Sequence, residues 1–278
     1  MICADLHVHS DFSDSSLSIA QTLARAERSG LTHLSLVDHD TVAGTSQARE
    51  LATLTTIQII PGIEISAQDR STGKKVHILG YAYQTPASNL TTLCQPTLQR
   101  RTQKTLSQVD ILIQAGFPLS RQAVLDKAGP TGAIYKQHIM AVLIDLGITD
   151  SVYSDLYRTV FKGAGICAGD IDYVDVQDAI AAVRADGGIP VLAHPGQSKV
   201  WESISGFARE GLTGIELNHP DHDSSDYGRI RDLADQYDFL LTGGSDYHAD
   251  YGNGPDIGQV LAPAESLLQM QLMLNRHI

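Results

Sequence analysis

The sequence predicts an α/β fold in which a parallel sheet, covered by helices, closes into a barrel that carries one helical insertion. Three observations lead there. Short apolar runs rich in β-branched residues recur, each followed by a polar, Gly-rich or helical stretch, as expected of strands buried on both faces. So many β–α steps favour a closed barrel over an open sheet, and no G-x-G-x-x-G or G-x-x-x-x-G-K-[ST] follows any strand to support a nucleotide-binding open sheet. Residues 85–165 break the rhythm with helical periodicity alone.

Residues 2–8 read as the first strand and 19–29 as an amphipathic helix, with Ser18 as its N-cap and Gly30 just past its end. Strands follow at 34–37, 57–65 and 76–81. The stretches 98–115, 121–128 and 133–146 look helical, with no strand between them. A helix at 179–185, strands at 189–193 and 214–217, a helix at 230–237 and a strand at 239–242 resume the alternation, and Val260 opens the last segment. The expected organisation is a barrel built from 1–84 and 166–278, with 85–165 as a helical insertion.

Charge follows the same division. The chain has 20 Lys and Arg against 32 Asp and Glu, a net charge of −12. The insertion holds eight basic residues (Arg100, Arg101, Lys104, Arg121, Lys127, Lys136, Arg158, Lys162) and five Asp, or +3, which leaves −15 for the rest. With no Lys/Arg block, neither stable DNA binding nor polybasic membrane attachment is expected. The cysteines Cys3, Cys94 and Cys167 lie far apart without a C-x-x-C pair, which argues against a disulfide framework or a thiolate zinc site and fits a reducing compartment. The N-terminus has no signal-peptide pattern and no apolar run approaches the roughly 18 residues of a membrane span, so a cytoplasmic location is expected.

The acidic residues are lopsided, 25 Asp against 7 Glu, beside eleven His. His7 and His9 form H-x-H on the first strand, where the two-residue period puts both imidazoles on one face. Asp14 lies in the following loop. His39 follows the second strand, Glu64 ends the third, and His77, His194, Asp246 and His248 accompany later ones. In a parallel barrel the strand C-termini share one face, where active sites are built. A lone histidine at a strand end is usually an ordinary hydrogen-bonding residue; recurrence gives the pattern its weight. Six imidazoles and three carboxylates exceed the four ligands of a tetrahedral ion, so two or three divalent ions are expected. Among the other histidines, His33, His138 and His277 have bland settings, while His219 and His222 are open between substrate contact and loop.

The motifs Asp5-Leu6-His7-Val8-His9-Ser10, Asp14, Asp38-His39-Asp40-Thr41, Gly62-Ile63-Glu64-Ile65-Ser66, His77-Ile78-Leu79-Gly80-Tyr81, Ala193-His194-Pro195-Gly196 and Gly244-Ser245-Asp246-Tyr247-His248 resemble the polymerase and histidinol phosphatase (PHP) family of metal-dependent phosphoesterases. The resemblance runs in order to about residue 260. It implies a distorted (β/α)7 TIM-like barrel with a trinuclear site. One ion would take His7, His9, Glu64 and Asp246; a second would share Glu64 and add His77 and His194; a third would take Asp14, His39 and His248. Glu64 would bridge two ions, and a metal-bound hydroxide would attack phosphorus in line. The nitrogen and oxygen ligands suit Mn, Zn or Fe. Asp5 and Asp38 are placed to orient ligand imidazoles, with strand-end capping an equal alternative.

There are two departures from the family pattern. Ser15 stands where Gly is common after Asp14, and Gln137, not Arg, precedes His138, which passes phosphate contact to Lys136. Arg101, Lys136, His138 and His219 are the expected substrate contacts, and Arg100 and Lys104 share one helix face. The expected substrate is a small phosphorylated compound, a nucleoside monophosphate or 3′,5′-bisphosphate, hydrolysed to release phosphate. Exonuclease action on short RNA is the close rival and histidinol phosphatase the third reading. An amidohydrolase would need a bridging strand-end Lys, whereas Lys74 and Lys75 precede their strand; a non-catalytic metal-binding module should have lost some of the nine ligands.

Overall fold

The structure is a computed structural model that describes residues 2–275, so His277 lies outside the described residues. Strands β1 (Ala4–Val8), β2 (His33–Leu36) and β3 (Gln58–Ile59) form a parallel sheet in that order, linked by helices α1 (Ile19–Arg28) and α2 (Thr45–Ala52). Ser18 caps α1 in a reciprocal pair with Gln21. Gly30, at φ 75°, turns the chain out of the helix in a conformation that side chains with a Cβ resist. Ile19, Leu23 and Ala26 then bury the inner face of α1 against Val8, Leu34 and Ala48.

The run expected as one strand over 57–65 is divided. Pro61, which has no N–H for a ladder, separates β3 from β4 (Gly62–Asp69). Only residues 70–73 connect β4 to β5 (Lys74–Tyr81), with Gly73 at φ 72°. So short a link makes a hairpin, because a parallel crossover needs a dozen residues or more. The strands accordingly pair antiparallel, Glu64 with Leu79 and Ser66 with His77. The expectation of an all-parallel sheet fails here.

The stretch 85–165, expected as an insertion, contains α3 (Ser88–Gln114), α4 (Arg121–Leu125), α5 (Lys136–Asp145) and α6 (Asp155–Phe161). Helix α3 starts ten residues before the expected stretch and runs through Pro96. Its start is stabilised from far away: the Asp186 carboxylate accepts the N–H groups of Asn89 and Leu90 at 3.2 and 2.9 Å. The first half of α3 packs Leu90 and Cys94 on the sheet core with Ile63, Ile65 and Val183. The second half sends Val109 and Leu112 into a separate core with Val124, Ile134, Ile139, Leu143 and Phe161. One long helix therefore ties the two cores together.

After the insertion come β6 (Val174–Asp175), α7 (Val176–Ala185), β7 (Ile189–Leu192), α8 (Pro195–Ser198), α9 (Ile204–Arg209), β8 (Gly214–Asn218), α10 (Ser224–Tyr237), β9 (Leu240–Gly243) and α11 (Ser266–Asn275). The second sheet has the order β6-β4-β5-β7-β8-β9; β5 is antiparallel to both neighbours and the other pairs are parallel. Two isolated bridges link the sheet regions, Val8 of β1 to Tyr247 beyond β9 and His39 beyond β2 to Glu64 of β4. The result is a mixed α/β fold whose two sheets face a shared interior. Among the described residues no helix is long and apolar enough to cross a membrane, and the three cysteines are unpaired.

Candidate active site

All nine residues singled out in the sequence meet in one place. The Glu64 carboxylate is at its centre. Its Oε1 lies 2.7 Å from His77 Nδ1 and 2.9 Å from His194 Nε2, and its Oε2 lies 3.2, 3.3 and 3.5 Å from His39 Nδ1, His9 Nε2 and His7 Nε2. Asp246 Oδ1 is 3.4 Å from His7 Nε2 and 3.3 Å from His9 Nε2. Asp14 Oδ1 faces His248 Nε2 at 3.3 Å, and its Oδ2 faces His39 Nε2 at 3.9 Å. Ligand atoms about 2.1 Å from a common ion in a tetrahedron stand roughly 3.4 Å apart, so many of these spacings suit a shared cation. His77 reaches the cluster by a route the sequence did not suggest. It is the fourth residue of an antiparallel strand, and the hairpin lays it beside Ser66 of β4.

The donor set also fits ions chemically. His7 and His9 are fully buried, Glu64 nearly so. Among the described residues, His7 Nε2, both nitrogens of His9, His39 Nδ1 and Asp14 Oδ1 have no hydrogen-bond partner. Each such orphan costs about 1–3 kcal/mol, and so many in one cluster call for a bound cation. His7 Nδ1 lies 2.9 Å from Glu216 Oε1; a carboxylate only accepts, so Nδ1 carries the proton and the Nε2 lone pair points at Glu64 and Asp246. His248 Nδ1 donates to the Asp246 carbonyl oxygen at 2.9 Å, which frees its Nε2 for the side facing Asp14. Burial works against the ionised form of Glu64, but the imidazoles of His77, His39 and His7 hold it well below the usual carboxylate range. Among the described residues five overlapping groupings could hold an ion: His9, Asp14, His39 and His248; His7, His9 and Asp246; His7, Glu64 and His194; His39, Glu64 and His77; and His7, Glu216 and His219.

Glu216 was not singled out, although a carboxylate between Ile215 and Leu217 in an apolar strand was a visible signal. It is fully buried, and its Oε2 accepts the backbone N–H of His194 at 2.8 Å while its Oε1 fixes His7. His194 adopts φ 23° and Asp246 φ 49°, strained conformations of the kind that cluster at functional sites.

Asp5 and Asp38 do not orient imidazoles. Asp5 accepts from the N–H groups of Ser245 and Gly258 and from the Ser245 hydroxyl at 3.0, 2.9 and 2.6 Å, tying β1 to the loop that carries Asp246. Asp38 accepts from Ser10 and Ser13, which fixes the loop before Asp14. Both position the ligands through the backbone, for which a short, rigid side chain is well suited.

Next to the cluster is a cavity of about 660 Å³. Asp14, His39, His77 and His194 form its floor, and Lys74, Lys75, Lys104, Lys136, Lys199 and Arg101 line its walls. Of the four expected substrate contacts, Arg101 and Lys136 line this cavity and the other two do not. His138 is buried, with its Nδ1 accepting the Tyr135 N–H at 3.2 Å at the start of α5. His219 Nδ1 accepts the N–H of Asp221 at 3.1 Å, which leaves the proton on Nε2, 3.3 Å from Asp246 Oδ2. It supports Asp246 from behind. His222 is a loop residue that donates to the Leu217 carbonyl oxygen. Arg100 turns to the Asp172 carbonyl oxygen, so it and Lys104 do not act together. Gln137, in the place of the family's Arg, donates to Asp14 Oδ2 at 2.8 Å.

The PHP domain profile matches residues 5–220 of this chain. The phosphoribosyl 1,2-cyclic phosphate 1,2-diphosphodiesterase of Eggerthella lenta is 44% identical over 254 residues, covering 91% of this chain and 97% of that protein. The 3′,5′-nucleoside bisphosphate phosphatase of Chromobacterium violaceum is 29% identical over 91% of this chain and 90% of its own length. Among solved structures, a proposed metal-dependent phosphoesterase from Bifidobacterium adolescentis matches with a TM-score of 0.89 and 26% identity, over 97% of this chain and 95% of that one. This chain belongs to the PHP domain family, and is a phosphoester hydrolase.

Proposed function

We propose that this protein removes phosphate from small nucleotides or nucleotide-like sugar phosphates that carry a second phosphate, a nucleoside 3′,5′-bisphosphate being the type case. The observation that supports this most directly is the division of one cavity into an imidazole and carboxylate floor and a wall of five lysines and Arg101. Two or three ions of Mn, Zn or Fe would be held by His7, His9, Glu64 and Asp246, by Glu64 with His77 and His194, and by Asp14, His39 and His248. Bound there, such ions polarise phosphoryl oxygens and lower the pKa of water. The chain's own residues do the rest. Glu216 fixes the ring of His7 and the backbone of His194, Glu64 keeps its negative charge at the centre, and the lysine wall holds the second phosphate. Residues 85–165 act as a cap domain over this mouth. We further propose that the seven longer strands form the distorted barrel of the family, with β3 and β6 as short additions, and that the protein works in the cytoplasm.

The substrate reading has a direct assay. The kcat/KM for a nucleoside 3′,5′-bisphosphate is expected to exceed that for the matching monophosphate by about tenfold, the worth of one charge-assisted contact. Preferential turnover of 5′-phosphorylated oligoribonucleotides would overturn it in favour of RNA exonuclease action. The pH dependence carries its own sign. Burial and the nearby Lys162, Lys75, Arg101 and Lys104 push the Lys136 ammonium down to about 8. Lys136 is charged below that pH and neutral above it, so KM for the bisphosphate should rise as pH passes 8. Lys136→Arg keeps its charge throughout and should flatten the rise; an unchanged profile in that variant would remove Lys136 from the phosphate site.

A further inference from the structure

The chain returning from the insertion to β6 contributes an anion to the cationic wall. Residues 162–173 have no helix or strand and contain Gly163 at φ 56° and Gly169 at φ 96°. The far end of this strap is anchored, Arg100 donating to the Asp172 carbonyl oxygen at 2.9 Å and Arg70 to that of Tyr173 at 3.4 Å. Just before the anchor, Asp170 places its carboxylate against the Lys75 ammonium as an ion pair. The Tyr173 hydroxyl donates to Asp170 Oδ1 at 2.6 Å, and the Tyr173 ring lies 5.5 Å from Lys75 Nζ and 6.0 Å from the Arg101 guanidinium carbon. Asp170, Tyr173, Lys75 and Arg101 all line the cavity. Asp14, the other carboxylate on that lining, belongs to the floor.

We propose that Asp170 is a built-in counter-anion that occupies Lys75 until the second phosphate of a substrate displaces it. This inference rests on the substrate reading above. Its logic is one of charge. A ligand group reaching Lys75 must replace a carboxylate of charge −1. A phosphodiester, also −1, exchanges like for like and gains nothing from the lysine. A terminal phosphate carries about −1.5 to −2 at neutral pH and gains from the exchange. Asp170 thus sets the threshold that an incoming anion must exceed to take Lys75, and a terminal phosphate exceeds it. The released carboxylate stays close to solvent, so its departure strands no buried charge, and Gly163 and Gly169, both ahead of Asp170, let that part of the strap move.

The test is the binding of inorganic phosphate to the full-length protein as purified, measured by calorimetry on the parent and four variants. Asp170→Asn is expected to bind phosphate about fivefold more tightly, the release of a partly exposed ion pair. Asp170→Glu, which keeps the charge, should return to the parent value. Lys75→Met should bind more weakly, and adding Asp170→Asn to it should bring no gain. Unchanged or weaker binding in Asp170→Asn, or a gain that persists without Lys75, overturns the proposal. In the same proteins kcat/KM for the bisphosphate should rise about fivefold in Asp170→Asn and stay at the parent value in Asp170→Glu. Failure of the substrate reading looks different: the parent protein would hydrolyse no bisphosphate, whatever the phosphate titrations showed.

Discussion

Glu64→Gln is expected to lower phosphoester hydrolysis by about a thousandfold, the several kcal/mol that metal ions contribute to a phosphoryl transition state, and to lower the number of ions bound per chain. The reason is geometric. Glu64 places one oxygen or the other within 3.5 Å of five imidazoles, and it is the carboxylate shared by the His7–His194 and His39–His77 groupings. Glutamine keeps the shape but loses the charge that balances two cations, and it turns one acceptor into a donor aimed at imidazole lone pairs. Elemental analysis and turnover measured on the same preparation check both halves. A variant with parent metal content and parent rate would remove Glu64 from the centre of the site.

The second large effect is on stability. Arg101 Nη2 lies 2.7 Å from Asp40 Oδ2 and 2.8 Å from Ser66 Oγ, with the Tyr135 ring 5.1 Å from its guanidinium carbon. Asp40, itself buried, also accepts the Ser66 N–H at 2.8 Å. This ion pair links α3 to the loop after β2. Breaking a buried pair from one side leaves an uncompensated charge and costs about 3–5 kcal/mol. Arg101→Met and Asp40→Asn should therefore each lower the melting temperature by roughly 10 °C. The double variant should lose clearly less than the sum, because neither charge is then stranded. Strict additivity in a thermal-melt cycle would show that the two do not interact. Arg101 also lines the cavity, so its variant should bind substrate more weakly than Asp40→Asn does.

Much of the site was legible because its chemistry constrains residue type and position together. A period of two puts His7 and His9 on one face, and Glu64, His194 and Asp246 stand next to recognisable apolar runs. Ser18 and Gly30 marked the ends of α1 for equally local reasons. What stayed hidden depends on contacts distant in sequence. Asp186 caps α3 from 97 residues away, so the helix begins ahead of a proline that locally argues against it. The antiparallel course of β5 follows from a four-residue turn that also has the composition of an ordinary loop. The lysine wall draws Lys74 and Lys75 from a strand, Lys104 and Lys136 from two helices and Lys199 from the loop after α8. No single stretch announces it, and the charge surplus assigned to the insertion is only part of it. His138 was expected to contact substrate because of its family position, yet in this chain the ring caps a helix. Glu216 was overlooked for the opposite reason, since it interrupts a strand that otherwise reads as core.

The central claim is that the histidine and carboxylate cluster works by holding more than one divalent ion. Its most direct test is stepwise removal and return of metal, with bound ions counted and hydrolysis of a nucleoside bisphosphate followed in each sample. Two or three ions per chain, activity lost on chelation, and activity restored in step with the second ion returned are the expected result. Full hydrolysis by protein with no bound ion, or full restoration by a single ion, would contradict the account.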